Sequence, residues 1–320
     1  MTEGEKEMNR REFLQGAACV AAGALSGCVT AAKEGFDPDF SVLISDLHVG
    51  RDDEECAYTY AKLEKVVADI LAMRPRPKRV ICFGDIAVSY GLHNDYVHSK
   101  PLLRKLIDAG IDLHMTMGNH DRRSGFYASW PEYADRSPVR GKVVEVIDLG
   151  QADLVLLDAL RGTDDRATDD MGPVDGRIDG EQLKWLRGWM ASARRPFFLG
   201  SHQFRDLAVE GLPLPIRLLD ESPHAVGWIY GHDHAWCPDL GVASWEHHSL
   251  LPTLALPSTG LWGDIGYVKF HTSPRGALAE LVQDDFYFQT PTAHAVRPRS
   301  WDVRLRENQG KTMDFAFERS

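Results

Sequence analysis

The sequence predicts a protein of the α/β class with a largely parallel sheet. Apolar runs of strand length alternate with stretches whose apolar residues recur at helical spacing, and this βαβ pattern favours parallel strands. Five of the apolar runs end abruptly in polar residues: 40–45, 79–83, 111–117, 196–199 and 226–230. Because open α/β sheets usually bind ligands at the carboxyl ends of their strands, we expect these five ends to form one site.

The other elements follow from periodicity and from the residues that interrupt it. A helix is predicted at 57–73, where apolar residues recur at helical spacing until Pro75. A second helix is predicted at 101–109, with Gly110 as its C-cap. The remaining predictions are a polar and aromatic loop at 121–138, an antiparallel hairpin at 143–149 and 154–160, a long exposed loop at 161–180, a helix at 181–193, and strands at 253–256, 267–270, 277–282 and 286–289.

Composition places the chain among soluble globular proteins. Apolar residues make up 43% of the chain and charged residues 26%, which are ordinary values. The formal net charge of −11 argues against a nucleic acid held by a basic surface. It leaves room for a small anionic substrate, because a bound dication can dominate the local field. We expect one domain over 39–290, and a tail at 291–320 that either packs on it or is disordered.

The N-terminus predicts export rather than fold. The pair Arg10-Arg11 lies in a stretch that resembles the twin-arginine export signal of bacteria. The weakly apolar segment 16–25 is too short to span a bilayer, and Leu25-Ser26-Gly27-Cys28 resembles a lipobox. We therefore expect residues 1–28 to be a twin-arginine signal peptide with lipidation of Cys28, and 29–38 to be a tether. A plain cleaved signal peptide is the alternative.

This interpretation implies partners and a location. The twin-arginine export machinery would carry the chain out of the cytoplasm, and a lipid on Cys28 would anchor it to a membrane. The expected location is periplasmic or cell-surface.

The polar residues at the strand ends are of the types that bind metals. They form the motifs Asp46-Leu47-His48, Gly84-Asp85, Gly118-Asn119-His120-Asp121, His202 and Gly231-His232-Asp233-His234. Asp, His and Asn together suit Mn, Fe or Zn better than calcium. Seven of these residues are candidate ligands, which is too many for one ion, so two metals that share a bridging carboxylate are expected. Two metals about 3.5–4 Å apart can hold a phosphoryl group and activate a water.

In this order, the five motifs resemble those of the calcineurin-like metallophosphoesterase family. The likeness runs from about 40 to 270, and the segment 179–186 resembles the helix that precedes the lone histidine of that family. The resemblance implies a four-layer α/β/β/α sandwich, with two mixed β-sheets flanked by helices. It also implies hydrolysis of phosphate esters by two divalent transition metal ions, Mn, Fe or Zn, with a metal-bridging hydroxide that attacks phosphorus in line.

The resemblance also implies a role for each matching residue. The first metal would be held by Asp46, His48 and His234, and Asp85 would bridge the pair. The second would be held by Asn119, His202 and His232. His120 would face the substrate phosphate and protonate or orient the leaving oxygen, while Asp121 would hydrogen-bond His120 and fix its tautomer.

Residues close to the motifs bear on which phosphate ester is the substrate. Arg122, Arg123 and Arg205 lie next to motif residues and are candidates for binding a further anionic group, with solvent-facing arginines as the alternative. Val88 stands where purple acid phosphatases have a tyrosine ligand, which argues against that type of ferric site. A small phosphate ester is the expected substrate. The alternatives are a phosphodiesterase of cyclic-nucleotide or nuclease type and a non-catalytic binding member of the fold.

Overall fold

The fold is a four-layer sandwich whose two sheets lie between helices. It is seen in a computed structural model that describes residues 35–50, 54–88, 90–161, 175–178, 180–204, 207–209, 212–213, 217–218, 221–243, 250–260, 263–283, 308 and 310–317. Several sequence predictions lie outside the described residues: the signal peptide with Cys28, most of the tether, Arg205, the strand at 286–289 and most of the loop at 161–180.

The first sheet has the strand order β14-β13-β12-β1-β2-β3. Its strands and the helices near it are β1 (Ser41–Ile44), α1 (Glu54–Ala72), β2 (Arg79–Cys82), α2 (His93–Asp108), β3 (Asp112–Met115), α3 (Arg123–Ser129), a 3-10 helix at Pro131–Tyr133, β12 (Tyr267–Ser273), β13 (Gly276–Val282) and β14 (Thr312–Ala316). The strands β1, β2 and β3 are parallel, whereas β12, β13 and β14 are antiparallel, so the sheet is mixed.

The second sheet has the order β10-β11-β9-β6-β5-β4. Its elements are β4 (Glu145–Asp148), β5 (Asp153–Leu156), α4 (Gly180–Ser192), β6 (Phe197–Ser201), β9 (Ala225–Tyr230), β10 (Cys237–Ala243) and β11 (Leu250–Ala255), and a separate two-stranded ribbon comprises β7 (Ala208–Val209) and β8 (Leu212–Pro213). The central strands are parallel and both edge pairs antiparallel, including the predicted hairpin of β4 and β5.

Alternate side chains of the buried strands pack against different layers. Val42 and Ile44 of β1 pack among residues of α1 and α2, whereas Leu43 packs among residues of the second sheet. Successive side chains of a strand point to opposite faces, so a strand covered on both faces must be apolar throughout. This burial explains the continuous apolar runs of the sequence. A third cluster joins the second sheet to α4 through residues such as Leu186 and Phe197. The predicted four-layer α/β/β/α architecture is confirmed.

Three differences from the sequence predictions concern the first sheet and the helices near it. Helix α2 begins at His93 and contains Pro101 in its interior. The Asp95 carboxylate accepts the backbone N–H of Leu92 and closes the first turn well before the proline. Burial of Leu102, Leu103 and Leu106 then favours the helix despite a proline cost of about 3 kcal/mol. The predicted loop at 121–138 contains α3 and the 3-10 helix.

The third difference is β14, which lies within the predicted tail. It pairs antiparallel with β13 and completes the edge of the first sheet. Met313 and Phe315 alternate with exposed residues and pack between the sheets, so this part of the tail belongs to the domain. Within the described residues, no helix combines the length and the apolar character needed to cross a bilayer.

Candidate metal centre

Strand ends of both sheets converge on one edge of the sandwich, and the backbone there is unusual. Of the described non-glycine residues, five have positive φ: Asp46 (54°), His48 (49°), Asp85 (48°), His232 (68°) and His234 (49°). All five are predicted metal ligands. A non-glycine residue in such a conformation costs about 1–3 kcal/mol and persists only where the surroundings enforce it. The strain is therefore concentrated at this one site.

Backbone hydrogen bonds between neighbouring turns enforce these conformations. Asp46 N–H donates to the Gly84 carbonyl (3.1 Å), and His48 N–H donates to the Asp85 carbonyl (3.0 Å). Parallel pairing thus continues beyond β1 and β2 into the motif residues. On the second sheet, Gly231 N–H donates to the His202 carbonyl (3.0 Å). Each motif is held in place by the motif of the adjacent strand.

Glycines allow these turns to approach one another closely. A Cβ atom at Gly118 would lie 2.1 Å from Asp85 Oδ1, and one at Gly231 would lie 2.1 Å from Ser45 Oγ and 3.1 Å from Asp46 Oδ2. Any other residue at either position would force the carboxylates away. The glycines of the motifs are therefore required by the packing of the site.

The first cluster consists of Asp46, His48 and His234, which offer ligand atoms within reach of one ion. His234 Nε2 lies 3.1 Å from Asp46 Oδ1 and 3.3 Å from His48 Nε2. Asp46 Oδ1 and His48 Nδ1 are buried and have no hydrogen-bond partner within the described structure. Burial lowers the pKa of His48 to about 4, so this imidazole is neutral and its nitrogens are available as ligands at neutral pH.

The second cluster joins Asp85, His202 and His232, with Asn119 beside them. His202 Nε2 lies 3.1 Å from Asp85 Oδ2 and 3.2 Å from Asn119 Oδ1. Asp85 also approaches the first cluster, with its Oδ2 3.8 Å from His48 Nε2. Among the described residues that offer ligand atoms, Asp85 thus lies between the two sets.

The donor set fits a bound cation. His202 Nδ1–H donates to the Phe83 carbonyl (2.8 Å), so the lone pair of a neutral imidazole is on Nε2 and points at two oxygen acceptors. Burial alone lowers the pKa of His202, but the charges of Asp85 and Asp46 outweigh it and raise the pKa to about 9. A positive charge is therefore favoured at this point. A divalent cation supplies it and satisfies all the converging acceptors at once.

The carboxylates carry charge despite their burial. Burial raises the pKa of Asp85, but nearby His202 and His120 hold it well below its ordinary value. For Asp46, His234 and His202 likewise outweigh burial and keep the pKa low. Both groups therefore enter the site as anions.

His120 occupies the outer side of the cluster. Its side chain is 20% exposed, and its Nε2 lies 4.0 Å from Asp85 Oδ2. Its backbone N–H donates to Asp85 Oδ1 (2.8 Å), and its ring meets that of His48 edge-on at 4.8 Å. His120 therefore borders the site without lying as deep as the other histidines.

The predicted hydrogen bond between the His120 ring and the Asp121 carboxylate is absent, and that prediction was wrong. The Asp121 carboxylate is fully buried and accepts the backbone N–H groups of Gly118 (2.8 Å), Ile86 and Ala87 and the Tyr96 hydroxyl (3.0 Å). His120 Nδ1 has no hydrogen-bond partner within the described structure. Asp121 shapes the turns that carry Asp85 and Asn119, because it ties the two together.

The structure also corrects Arg123 as a substrate contact. Its guanidinium makes a two-point ion pair with Asp158, with Nε to Oδ2 and Nη2 to Oδ1 both 2.7 Å, and Nη2 also donates to the Leu160 carbonyl. Asp158 further accepts the Val143 N–H and is fully buried. Arg123 therefore joins α3 to the end of the second sheet. Arg122 is buried and donates Nε–H to the Tyr90 carbonyl. Its substrate role stays a prediction.

Three buried charged residues were not singled out in the sequence, although each left a signal there. Asp158 interrupts the apolar run 154–160, and a lone acid in a buried strand pattern indicates a buried partner. Lys62 lies on the apolar face of α1 and is 4% exposed. Asp264 follows a glycine outside the predicted strands, yet it is buried and makes hydrogen bonds beside His234.

The two-sheet sandwich and its histidine–carboxylate edge define an α/β protein with a metal-binding type of site. Residues 42–236, more than half of the chain, match the family model described as calcineurin-like phosphoesterase. The chain belongs to the calcineurin-like phosphoesterase family, as the motifs predicted. Proteins of this family typically bind a dinuclear metal site. No curated protein sequence matches the chain.

A solved structure with the same fold is similar to this chain. The chain is similar to a dimetal phosphatase from Danio rerio, with a TM-score of 0.60 and 16% identity over 77% of this chain and 96% of that one. It also aligns with Vps29 complexed with Zn²⁺ from Entamoeba histolytica, with a TM-score of 0.40 and 14% identity over 87% and 99% of the two chains. The identity to the dimetal phosphatase is low, so the likeness to it concerns the fold alone.

Proposed function

We propose that this protein is a dimetal phosphoesterase that hydrolyses small phosphate esters. The observation that carries the proposal is the position of Asp85, whose Oδ2 lies 3.1 Å from His202 Nε2 and 3.8 Å from His48 Nε2. A carboxylate between two ligand sets is what a shared bridge between two ions requires. The similarity in fold to a dimetal phosphatase supports the same conclusion.

Each ligand set would hold one ion. Asp46, His48 and His234 would hold the first; Asn119, His202 and His232 would hold the second; and Asp85 would bridge them. Bound together, two such ions supply the charge that activates water and neutralises the phosphoryl oxygens.

His120 would be the proton donor in this reaction. Its side chain is 20% exposed at the border of the ligand sets, and its backbone N–H donates to Asp85 Oδ1, which supports a place for the ring beside a bound phosphoryl group. Nε2–H would donate a hydrogen bond to the departing ester oxygen and transfer its proton as the bond to phosphorus breaks. Asp121 contributes by holding the backbone of the turn.

The proposed location is outside the cytoplasm, with the chain anchored through a lipid on Cys28. The twin-arginine pair and the lipobox-like sequence of the N-terminus support this part of the proposal. A small phosphate ester of the envelope or its surroundings is the substrate class that follows.

A substrate screen tests the proposed function. The chain, freed of metal and reloaded with Mn²⁺, Zn²⁺ or Fe²⁺, is assayed on chromogenic monoesters, chromogenic diesters and nucleotides, with Asp85→Asn as the matched control. We expect turnover that requires metal and that Asp85→Asn abolishes. A preference for diesters would show that the protein is a phosphodiesterase with the same site. If no ester were turned over with both metals bound, the assignment as an enzyme would be wrong, and a binding function would remain.

A further inference from the structure

A loop after β11 lies against both outer turns of the first ligand cluster. We name residues 258–260 and 263–266 the support loop. The proposed function assigns no role to these residues. Yet Asp264, Ser258 and Thr259 are all at most 1% exposed, which is unusual for polar residues of a turn.

One end of the support loop holds the backbone of Asp46. The Asp46 carbonyl accepts two hydrogen bonds, from Gly260 N–H (2.9 Å) and from the Ser258 hydroxyl (3.0 Å). Thr259 N–H donates to the Ser45 carbonyl (2.8 Å). A Cβ atom at Gly260 would lie 2.0 Å from the Leu47 carbonyl oxygen, so only glycine permits this approach. These contacts stabilise the positive φ of Asp46.

The other end of the support loop encloses the turn at His234. Asp264 N–H donates to the His234 carbonyl (2.8 Å), and the Asp264 carboxylate accepts the Trp236 N–H (2.8 Å). One residue thus bonds to the backbone on both sides of residue 235. A Cβ atom at Gly263 would lie 1.9 Å from the His234 carbonyl oxygen. The positive φ of His234 is therefore maintained from this loop as well.

Lys62 connects the support loop to helix α1. Its ammonium is buried and donates to the Gly260 carbonyl at 2.7 Å, and among the described residues it has no carboxylate partner. Burial lowers the pKa of this lysine to about 8, which shows the cost of keeping a charge there. Because the ammonium is buried at a cost and bonds to one backbone carbonyl, we infer that its role is to fix the position of Gly260.

We propose that the support loop positions the first metal site, with Asp264 as its principal positioning residue and Lys62 as its anchor. The inference rests on the proposed function. Asp264 belongs to neither ligand set; it would act through the backbone of His234, and Lys62 would act through Gly260 on Asp46. Removing a group that orients a metal ligand typically weakens metal affinity by about 10–100-fold. The support loop contacts the first ligand set, so we expect the second ion to be spared.

The experiment measures each site separately by equilibrium dialysis against Mn²⁺. His232→Ala serves as a background that reports the first site, and His234→Ala as one that reports the second. Asp264→Ala should weaken Mn²⁺ binding at least about tenfold in the first background and leave the second unchanged. Asp264→Asn, which keeps an acceptor for Trp236 N–H, should restore most of the affinity. Asp314→Ala, on an exposed position of β14, is the control.

Equal losses in both backgrounds, or no loss in either, would overturn the inference. Lys62→Met guards against an Asp264 variant that does not fold. It should weaken the first site selectively, while Lys65→Met, one turn along α1 on its surface, should not. Far-UV circular dichroism of the metal-free variants establishes that they are folded. If the unsubstituted chain binds two Mn²⁺ ions and the variants match it, only the inference fails; if it binds none, the proposed function fails with it.

Discussion

His48 and His234 face each other with their Nε2 atoms 3.3 Å apart, although 186 residues separate them in the chain. One comes from the end of β1 in the first sheet, the other from the end of β9 in the second. Asp46 Oδ1 lies 3.1 Å from His234 Nε2 in the same group. The site is therefore a junction between the two sheets, and a cation there would link the two halves of the sandwich.

This junction predicts that metal stabilises the fold. An ion that binds only the folded chain adds about 2.7 kcal/mol at a free concentration 100 times its Kd. We expect Tm to fall when the ions are removed with a chelator and to recover when Mn²⁺ or Zn²⁺ is added. Differential scanning calorimetry measures the shift. A Tm that is the same with and without metal would contradict the prediction, and Asp85→Asn is the control that should show little shift.

The shared carboxylate predicts the behaviour of Asp85→Asn. The amide removes one negative charge and one ligand oxygen from both ligand sets, so we expect the variant to lose both ions and all turnover. Elemental analysis of the purified variant measures the metal content. Retention of two ions per chain would show that Asp85 is not the bridge.

His120→Ala should separate metal binding from turnover. The His120 ring lies at the edge of the ligand sets, so the variant should keep both ions. Loss of a positioned proton donor typically costs about 10²–10⁴-fold in rate, and we expect kcat to fall by that factor. The test compares metal content with kcat on a chromogenic ester. The role would be refuted if kcat were unchanged, and a loss of metal would make His120 a ligand.

Much of the site could be predicted because the ends of buried strands can be recognised in a sequence. A buried strand is a continuous apolar run, and Asp46, Asp85, Asn119 and His202 each follow such a run. Parallel strands of a sheet have their carboxyl ends at one edge, so the order of the strand ends was enough to predict that these residues lie close together. The strand and helix pattern predicted an α/β protein, and the family resemblance implied the α/β/β/α layers.

The remaining features depend on contacts that no local pattern encodes. Asp121 serves three backbone N–H groups and a tyrosine hydroxyl instead of the adjacent His120, because turn geometry rather than proximity directs its side chain. Arg123 meets Asp158 across the sandwich from 35 positions away. Strand β14 pairs with β13, which lies well before it in the sequence, and its short alternation alone carried little signal.

The buried pair of Arg123 and Asp158 predicts a pH-dependent stability. Burial raises the pKa of Asp158, but Arg123 outweighs it and holds the pKa below the ordinary 3.8. A depressed carboxyl pKa contributes stability above the unfolded-state value, and that contribution is lost as pH falls through the folded-state value. Asp158→Asn should therefore lower the free energy of unfolding by about 3–5 kcal/mol at pH 7.

Urea unfolding between pH 7 and pH 3 checks this prediction. The difference between the chain and Asp158→Asn should narrow as pH falls below about 4, where the unfolded carboxyl takes up its proton. Glu221→Gln, which breaks an exposed pair with Arg187, should cost less than about 1 kcal/mol. Equal effects of the two substitutions would remove the structural role assigned to Arg123.

The proposed anchor predicts the fate of Cys28→Ser. Without the thiol there is no site for the lipid, so the variant should move from the membrane fraction to the soluble fraction. Replacing Arg10 and Arg11 by lysine should instead block export and leave the chain in the cytoplasm. Cell fractionation and immunoblotting measure both. Membrane association that survives Cys28→Ser would remove the lipid anchor from the account.

The most direct test of the central claim is an anomalous diffraction map of crystals soaked with Mn²⁺. The account predicts two peaks about 3.5–4 Å apart, one on each side of the Asp85 carboxylate. A single peak, or two peaks with Asp85 beside neither, would contradict it.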